Sequence, residues 1–292
     1  MATTNLQQWF NQGERVTYKG NKIFLIDKGS GTTLLLIHGF PTSSWDWHKL
    51  FPTLTKHFRV LCLDMLGYGY SDKPENGNYT THHQAEMIYE LLKQRDIQEL
   101  NIMAYSYGVS VVQEMLSMQL EHKVSFESLC FLNGGLFRES NHPKLSQRLM
   151  LSRYGKFVVK LFNKSTLARN LKAIFGPDTQ PSNELINEYW TLLNTHQGKR
   201  ILPKLIQYLK ERQIHGERWE ETLRQAICPM QLIVGAQDSI SGIEVANQFR
   251  KTVSQDNIHI LDNIGHYPQL EAPDDVLAFY LPFVQKYTHL PT

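Results

Sequence analysis

Short apolar runs and helix-length amphipathic stretches alternate along the first half of the chain. Thr33 to Ile37 is one such run, stopping abruptly at His38-Gly39-Phe40-Pro41. A run without polar alternation reads as a parallel strand buried on both faces. Arg59 to Leu63, ending at Asp64, has the same form. So do Leu100 to Ala104, which leads to Ser106, and Ser128 to Leu132, which ends at Asn133-Gly134-Gly135. Ahead of them, Val16 to Asp27 alternates loosely and closes on Lys28-Gly29-Ser30-Gly31, which predicts a first hairpin. Between the runs, Thr81 to Arg95 carries Met87, Ile88, Leu91 and Leu92 at helical spacing, and Thr81 with Gln84 has the capping-box pattern. Val109 to Leu120 reads as another helix.

The alternation stops after Gly135. From Leu136 to Ala226 the pattern is helical with few strand signals, clearest over Leu145 to Leu161 and Leu202 to Arg212, and divided by Gly176-Pro177 and Pro181. The charge-rich stretch Lys210 to Glu221 reads as a solvated helix face. Strand and helix then return in turn: Met230 to Val234, Ile243 to Lys251, Ile258 to Leu261 and Val276 to Tyr287. The expected fold class is therefore α/β, a mostly parallel central sheet flanked by helices and interrupted by a helical insertion. The predicted division is a first core segment over 1–135, an insertion over 136–226, and a second core segment over 227–292.

A length of 292 residues suits one domain with an insertion. Hydrophobic residues at 41% and charged residues at 20% are enough for a sizeable core. With 30 Lys and Arg against 28 Asp and Glu, the net charge of +2 supplies no strong field for nucleic acid or an anionic membrane. Met1 to Gly20 lacks a basic start followed by an apolar run, so no secretory signal is expected. No apolar stretch approaches the roughly 18 residues a spanning helix needs. Cys62, Cys130 and Cys228 are odd in number and form no C-x-x-C pair, which reads as reduced thiols and a cytoplasmic location.

Catalytic groups in open α/β sheets gather at the carboxyl ends of strands. Ser106 sits at such an end, in Ala104-Tyr105-Ser106-Tyr107-Gly108. This is the G-x-S-x-G nucleophile elbow with alanine in place of its first glycine. The elbow is a tight, strained turn that thrusts the hydroxyl outward, and small flanking residues let helix pack on strand. A serine hydroxyl attacks only when a base takes its proton.

In this arrangement the chain order is nucleophile, acid, histidine. His266, in the loop Asn263-Ile264-Gly265-His266-Tyr267-Pro268 after a strand, is the expected base. His259 lies within that strand, His82, His83 and His122 lie on or beside helices, and His38 shapes the first loop. Asp238, in Gly235-Ala236-Gln237-Asp238 after a strand, is the expected orienting acid. The other position for the acid, after Ser128 to Leu132, offers the uncharged Asn133. The N–H groups of Phe40 and Tyr107 are expected to form the oxyanion hole. Trp45, Tyr189 and Tyr208 are candidates for the substrate pocket. No histidine pair has metal-ligand spacing, so neither metal nor cofactor is expected.

These segments resemble the α/β-hydrolase superfamily, and within it the epoxide hydrolase and haloalkane dehalogenase branch. His38-Gly39-Phe40-Pro41, Asp64-Met65-Leu66-Gly67-Tyr68-Gly69-Tyr70-Ser71, the elbow at Ser106, and Gly265-His266-Tyr267-Pro268 carry the resemblance. A closer likeness is to the mesoderm-specific transcript group of hydrolases. Phe40-Pro41-Thr42-Ser43-Ser44, Ser71-Asp72-Lys73-Pro74, Asn133-Gly134-Gly135, Phe175-Gly176-Pro177 and His266-Tyr267-Pro268-Gln269-Leu270-Glu271 carry it. The family implies that Leu136 to Ala226 is a helical cap over the active site. Epoxide hydrolases use cap tyrosines as acids; Tyr154, Tyr189 and Tyr208 are available here, but tyrosines are common in helices and decide little.

One position departs from that branch. Its elbow carries aspartate, and this chain carries Ser106. A carboxylate that attacks saturated carbon leaves an ester that water can open, whereas a serine would leave an ether. Serine with histidine and aspartate suits acyl carbon. The expected activity is hydrolysis of a carboxylic ester or related acyl compound. A lactonase, thioesterase, acyltransferase or carbon–carbon bond hydrolase would use the same triad. The alternative class is a hydrolase fold retained for binding with its chemistry lost. The expected partner is a small, partly apolar molecule, without nucleic acid or a membrane span, and a homo-oligomer is left open.

Overall fold

The computed structural model describes residues 4–139, 145–253 and 256–287. Among them eight strands form one sheet. These are β1 (Glu14–Tyr18), β2 (Asn21–Lys28), β3 (Thr33–Ile37), β4 (Arg59–Leu63), β5 (Glu99–Tyr105), β6 (Ser125–Leu132), β7 (Met230–Gly235) and β8 (Ile258–Leu261). Their spatial order is β1-β2-β4-β3-β5-β6-β7-β8. The pairs β1–β2 and β2–β4 are antiparallel, and the remaining pairs are parallel. The hairpin turns at Lys19-Gly20, both at positive φ (44° and 80°), as a two-residue turn between twisted strands requires. All five positions of β3 are buried, as its apolar run predicts, and all six of β7 are buried too, Gln231 among them.

The helices Thr81–Lys93, Tyr107–His122, Ile243–Thr252 and Pro273–Tyr287 flank the sheet. The first begins one residue earlier than its capping-box pattern implied. Thr80, not Thr81, is the N-cap, its hydroxyl accepting from His83 N at 3.2 Å. Thr81 N–H instead donates to Glu211 Oε2 at 2.7 Å, a contact no local pattern encodes.

Between β6 and β7 the chain is helical among the described residues, with 140–144 outside them. The single helix expected over Leu145 to Leu161 is two, Leu145–Leu151 and Gly155–Leu161. The chain folds back so tightly at Gly155 that a Cβ there would lie 2.2 Å from Met150 O. The helix expected over Leu202 to Arg212 likewise divides into Leu202–Leu205 and Tyr208–Gln225. The second of these is only partly solvated. Arg212, Gly216, Trp219 and Leu223 are buried on its inner side, where Trp219 Nε1 donates to Glu114 Oε2 at 2.6 Å. Cys62 and Cys130 are buried and all three cysteines are free thiols.

The loop after β3 is fixed from below by groups that cannot reach water. His38 is buried between Gly39 O, 2.8 Å from its Nδ1, and Met65 N–H, which donates to its Nε2 at 3.0 Å. Burial holds its pKa down to about 4, so it serves as a neutral spacer. Asp64 accepts from Ser44 N at 2.7 Å and Tyr70 N at 2.6 Å. Asp46 accepts from Thr42 Oγ1 at 2.5 Å and Tyr189 Oη at 2.6 Å. Burial outweighs those hydrogen bonds and raises the Asp46 carboxyl from 3.8 to about 7.

Between these two values the unfolded chain has lost the Asp46 proton and the folded chain retains it, so stability falls as pH rises, then levels off above about 7. Asn at position 46 removes that term. The Asp46→Asn variant should match the native unfolding midpoint near pH 4 and exceed it increasingly towards pH 7. A full shift corresponds to the order of a few kcal/mol. Thermal unfolding of the pair across this range tests it, and parallel profiles would refute the raised carboxyl.

Candidate active site

Ser106 lies between β5 and the helix Tyr107–His122, at φ 53° and ψ −109°. A non-glycine residue in that region is strained and persists only where its surroundings hold it. Ser106 N–H is held by Leu132 O at 3.1 Å, which ties the elbow to the neighbouring strand. The small flanking residue is a necessity at Gly108, where a Cβ would lie 2.5 Å from Ile37 O. Ala104, in place of the usual glycine, is fully buried. The result is a serine 8% exposed with its hydroxyl on the wall of a cavity.

The loops after β7 and β8 bring two further groups to it. His266 Nε2 stands 3.1 Å from Ser106 Oγ, and His266 Nδ1 stands 2.7 Å from Asp238 Oδ2. These residues are 160 and 28 positions apart in the chain, and the carboxyl edge of the sheet collects them. Burial alone would raise the Asp238 carboxyl. The His266 ring, Ser241 and the Ile240 N–H outweigh burial and hold it down to about 2. Asp238 is therefore a carboxylate throughout the neutral range, able to accept from Nδ1 and leave Nε2 free to take a proton.

Two backbone donors next to this group, Phe40 N–H and Tyr107 N–H, are unpaired among the described residues. Tyr107 opens its helix, where the first N–H groups lack intrahelical partners and the dipole favours negative charge. Above them is a cavity of about 350 Å³, lined on the sheet side by Phe40, Ser106 and His266 and on the helical side mainly by apolar residues such as Met150, Leu167 and Leu171. Tyr208 lines it, and its ring packs on Tyr107 and Phe40. Trp45 and Tyr189 do not. Trp45 is buried beneath the loop, stacked on His48 and donating to Glu188 Oε2 at 3.0 Å, and Tyr189 is the partner of Asp46. Tyr154 is exposed and also stands outside the cavity wall.

Three residues complete the site without having been singled out as parts of it. Asn133, noted only as an uncharged residue, is a brace. Its Nδ2 donates to Asp238 Oδ2 at 2.7 Å while its Oδ1 accepts from Gly235 N at 2.9 Å. Glu271 binds the His266 loop from behind. Its Oε1 accepts from Tyr267 N at 2.8 Å, and its Oε2 from Gly265 N at 2.9 Å and Gly176 N at 2.7 Å. Phe175-Gly176-Pro177 and His266 to Glu271, motifs far apart in the sequence, are thereby one structure. Arg212, from the charge-rich helix, turns inward to the cavity wall and donates from Nε to Ser110 Oγ at 2.7 Å and from Nη2 to Ser106 O at 3.2 Å. Among the described residues no three His, Cys, Asp or Glu side chains gather as a metal cage requires.

Known proteins share this framework. Residues 32–273 match a family model described as alpha/beta hydrolase fold. The mesoderm-specific transcript protein of Mus musculus is 35% identical over 296 residues, covering 97% of this chain and 88% of that one. The crystal structure of the lip1 protein of Acinetobacter baumannii has a TM-score of 0.82 at 23% identity, covering 97% of this chain and 95% of its own. Epoxide hydrolase CorEH has a TM-score of 0.78 at 19% identity, covering 94% of this chain and 99% of its own. The two structural likenesses speak to fold alone. The family match over most of the chain and the identity to the mouse protein carry the conclusion that the chain belongs to the α/β hydrolase fold family.

Proposed function

We propose that this protein is a serine hydrolase of carboxylic esters or related acyl compounds. The observation that carries this reading is the unbroken line Asp238–His266–Ser106, with spacings of 2.7 and 3.1 Å, ending on the wall of a largely apolar cavity beside two open N–H groups. Segments 1–135 and 227–292 form the catalytic core in this reading, and 136–226 forms a cap whose helices shape the acyl pocket.

His266 Nε2 takes the Ser106 Oγ proton as the oxygen bonds to the substrate carbonyl carbon. The carbonyl oxygen becomes an oxyanion held by the N–H groups of Phe40 and Tyr107. Each such donor contributes about 3 kcal/mol to the transition state. Collapse expels the alcohol, which leaves with the proton from Nε2, and the acyl group stays on Oγ. Water then gives its proton to Nε2 and attacks the acyl carbon. The acid departs and the proton returns to Ser106. Asp238 keeps one imidazole tautomer throughout. Serine in the place of the aspartate used by epoxide hydrolases and dehalogenases favours this acyl route, because an ether on Oγ would end the cycle.

Fluorophosphonate labelling followed by intact-mass measurement tests the reading. The native protein should gain one adduct and turn over a short-chain aryl ester. Ser106→Ala and His266→Ala should lose both, with kcat falling roughly 10⁴- to 10⁶-fold. Retained turnover in Ser106→Ala would overturn the mechanism.

Glu271 acts through His266, so its loss should leave substrate binding alone. Glu271→Gln replaces one accepting oxygen with an NH2 donor turned towards backbone N–H groups and loosens the base loop. The expected outcome is a kcat drop of about ten- to a hundredfold with KM little changed. Labelling at Ser106 should be slower but complete. Steady-state kinetics on the folded variant read this directly, and an unchanged kcat would refute the positioning role.

A further inference from the structure

We infer that the helices Leu145–Leu151 and Gly155–Leu161 form a docking surface for an anionic phospholipid bilayer. The two helices expose Leu145, Leu149, Tyr154, Phe157 and Leu161, with exposure from 47% at Leu149 to 80% at Leu161. Contiguous apolar exposure on this scale marks an interaction site rather than ordinary surface. Leu149 and Leu161 also line the cavity that reaches Ser106, so the apolar face runs into the pocket mouth.

Charge selects the partner. Between Glu139 and Asp178 the sequence holds eight lysines and arginines and no acid. Arg148, Arg153, Lys156, Lys160 and Lys164 are all exposed around the apolar side chains. The Arg153 guanidinium lies 4.8 Å from the Tyr154 ring centroid, and Lys160 Nζ lies 5.6 Å from that of Phe157. Cations set beside exposed Leu, Phe and Tyr are the composition of helices that lie in the membrane interface. Their apolar side chains enter the acyl boundary and their long basic side chains reach lipid phosphates. A second copy docking through the same face would set this cationic cluster against itself, which disfavours a symmetric dimer. The whole-chain net charge of +2 conceals the cluster, since the balancing acids lie elsewhere. Among the described residues no helix is long and apolar enough to cross a membrane, so the contact is with one surface only. Docking stands on these residues alone, independent of whether Ser106 is a nucleophile.

Co-sedimentation with vesicles tests the inference, using equimolar phosphatidylglycerol and phosphatidylcholine against phosphatidylcholine alone. The native protein should partition at least about tenfold more strongly onto the anionic vesicles, and salt near 0.5 M should remove that preference. Phe157→Asp and the double variant Lys156→Glu/Lys160→Glu should each lose about tenfold in partitioning while keeping the native unfolding midpoint. Equal partitioning onto neutral vesicles would overturn the inference. So would full binding by Phe157→Asp, which would reduce the site to charge alone. Self-association abolished by Phe157→Asp, without vesicle binding, would assign the face to a second copy instead.

Discussion

A carboxylate stays ionised inside a protein only where N–H and O–H donors surround it, and that constraint organises the carboxyl edge of this sheet. Parallel strands end there abruptly, and their loops carry backbone donors that the ladder no longer satisfies. Asp64 gathers those of Ser44 and Tyr70, Asp238 those of Ile240 and Ser241, and Glu271 those of Gly176, Gly265 and Tyr267. Each acid therefore sets the course of a loop. The Phe40 and Tyr107 N–H groups stand outside this economy, without an acceptor among the described residues. In the proposed mechanism the substrate oxyanion is what completes them.

How much of this was legible in the sequence depended on the range of the interaction. β3 and β4 begin and end where their apolar runs do, because burial on both faces leaves a continuous signal. The order Ser106, Asp238, His266 was also legible, since each follows a strand and the elbow has a local pattern. Helix breaks were less so. Gly155 interrupts an apolar periodicity that otherwise continues, and only the close approach to Met150 O reveals why. Asn133, Arg212 and Glu271 were read through their neighbours in the chain, as a missing charge, a solvated face and the end of a motif. Each has a partner from 95 to 106 positions away, beyond any local pattern. Trp45 and Tyr189 failed for the opposite reason. Large aromatic residues suit a pocket wall and a buried loop foundation equally well.

Totals mislead where charge is segregated. A nearly neutral chain can present a strongly cationic face if its acids are spent elsewhere, and here many hold loops or helices together. Glu114 anchors Trp219 and Arg218, Asp27 holds Arg59, and Asp72 holds Arg15. The helices Leu145–Leu151 and Gly155–Leu161 are left with exposed cations and with Leu145, Leu149, Phe157 and Leu161 outward.

The hydrogen bonds from Gly176 to Glu271 and from His266 N to Ile174 O join the helical segment to the loop that carries the histidine. The position of the imidazole therefore depends on that segment as well as on Asp238 and the sheet, and in the proposed mechanism the base is shared work of both. The same seam sets a rule for building chimeras. A helical segment borrowed from a relative would have to bring a backbone matching Ile174 to Gly176, because the loop that carries His266 is hydrogen-bonded to it.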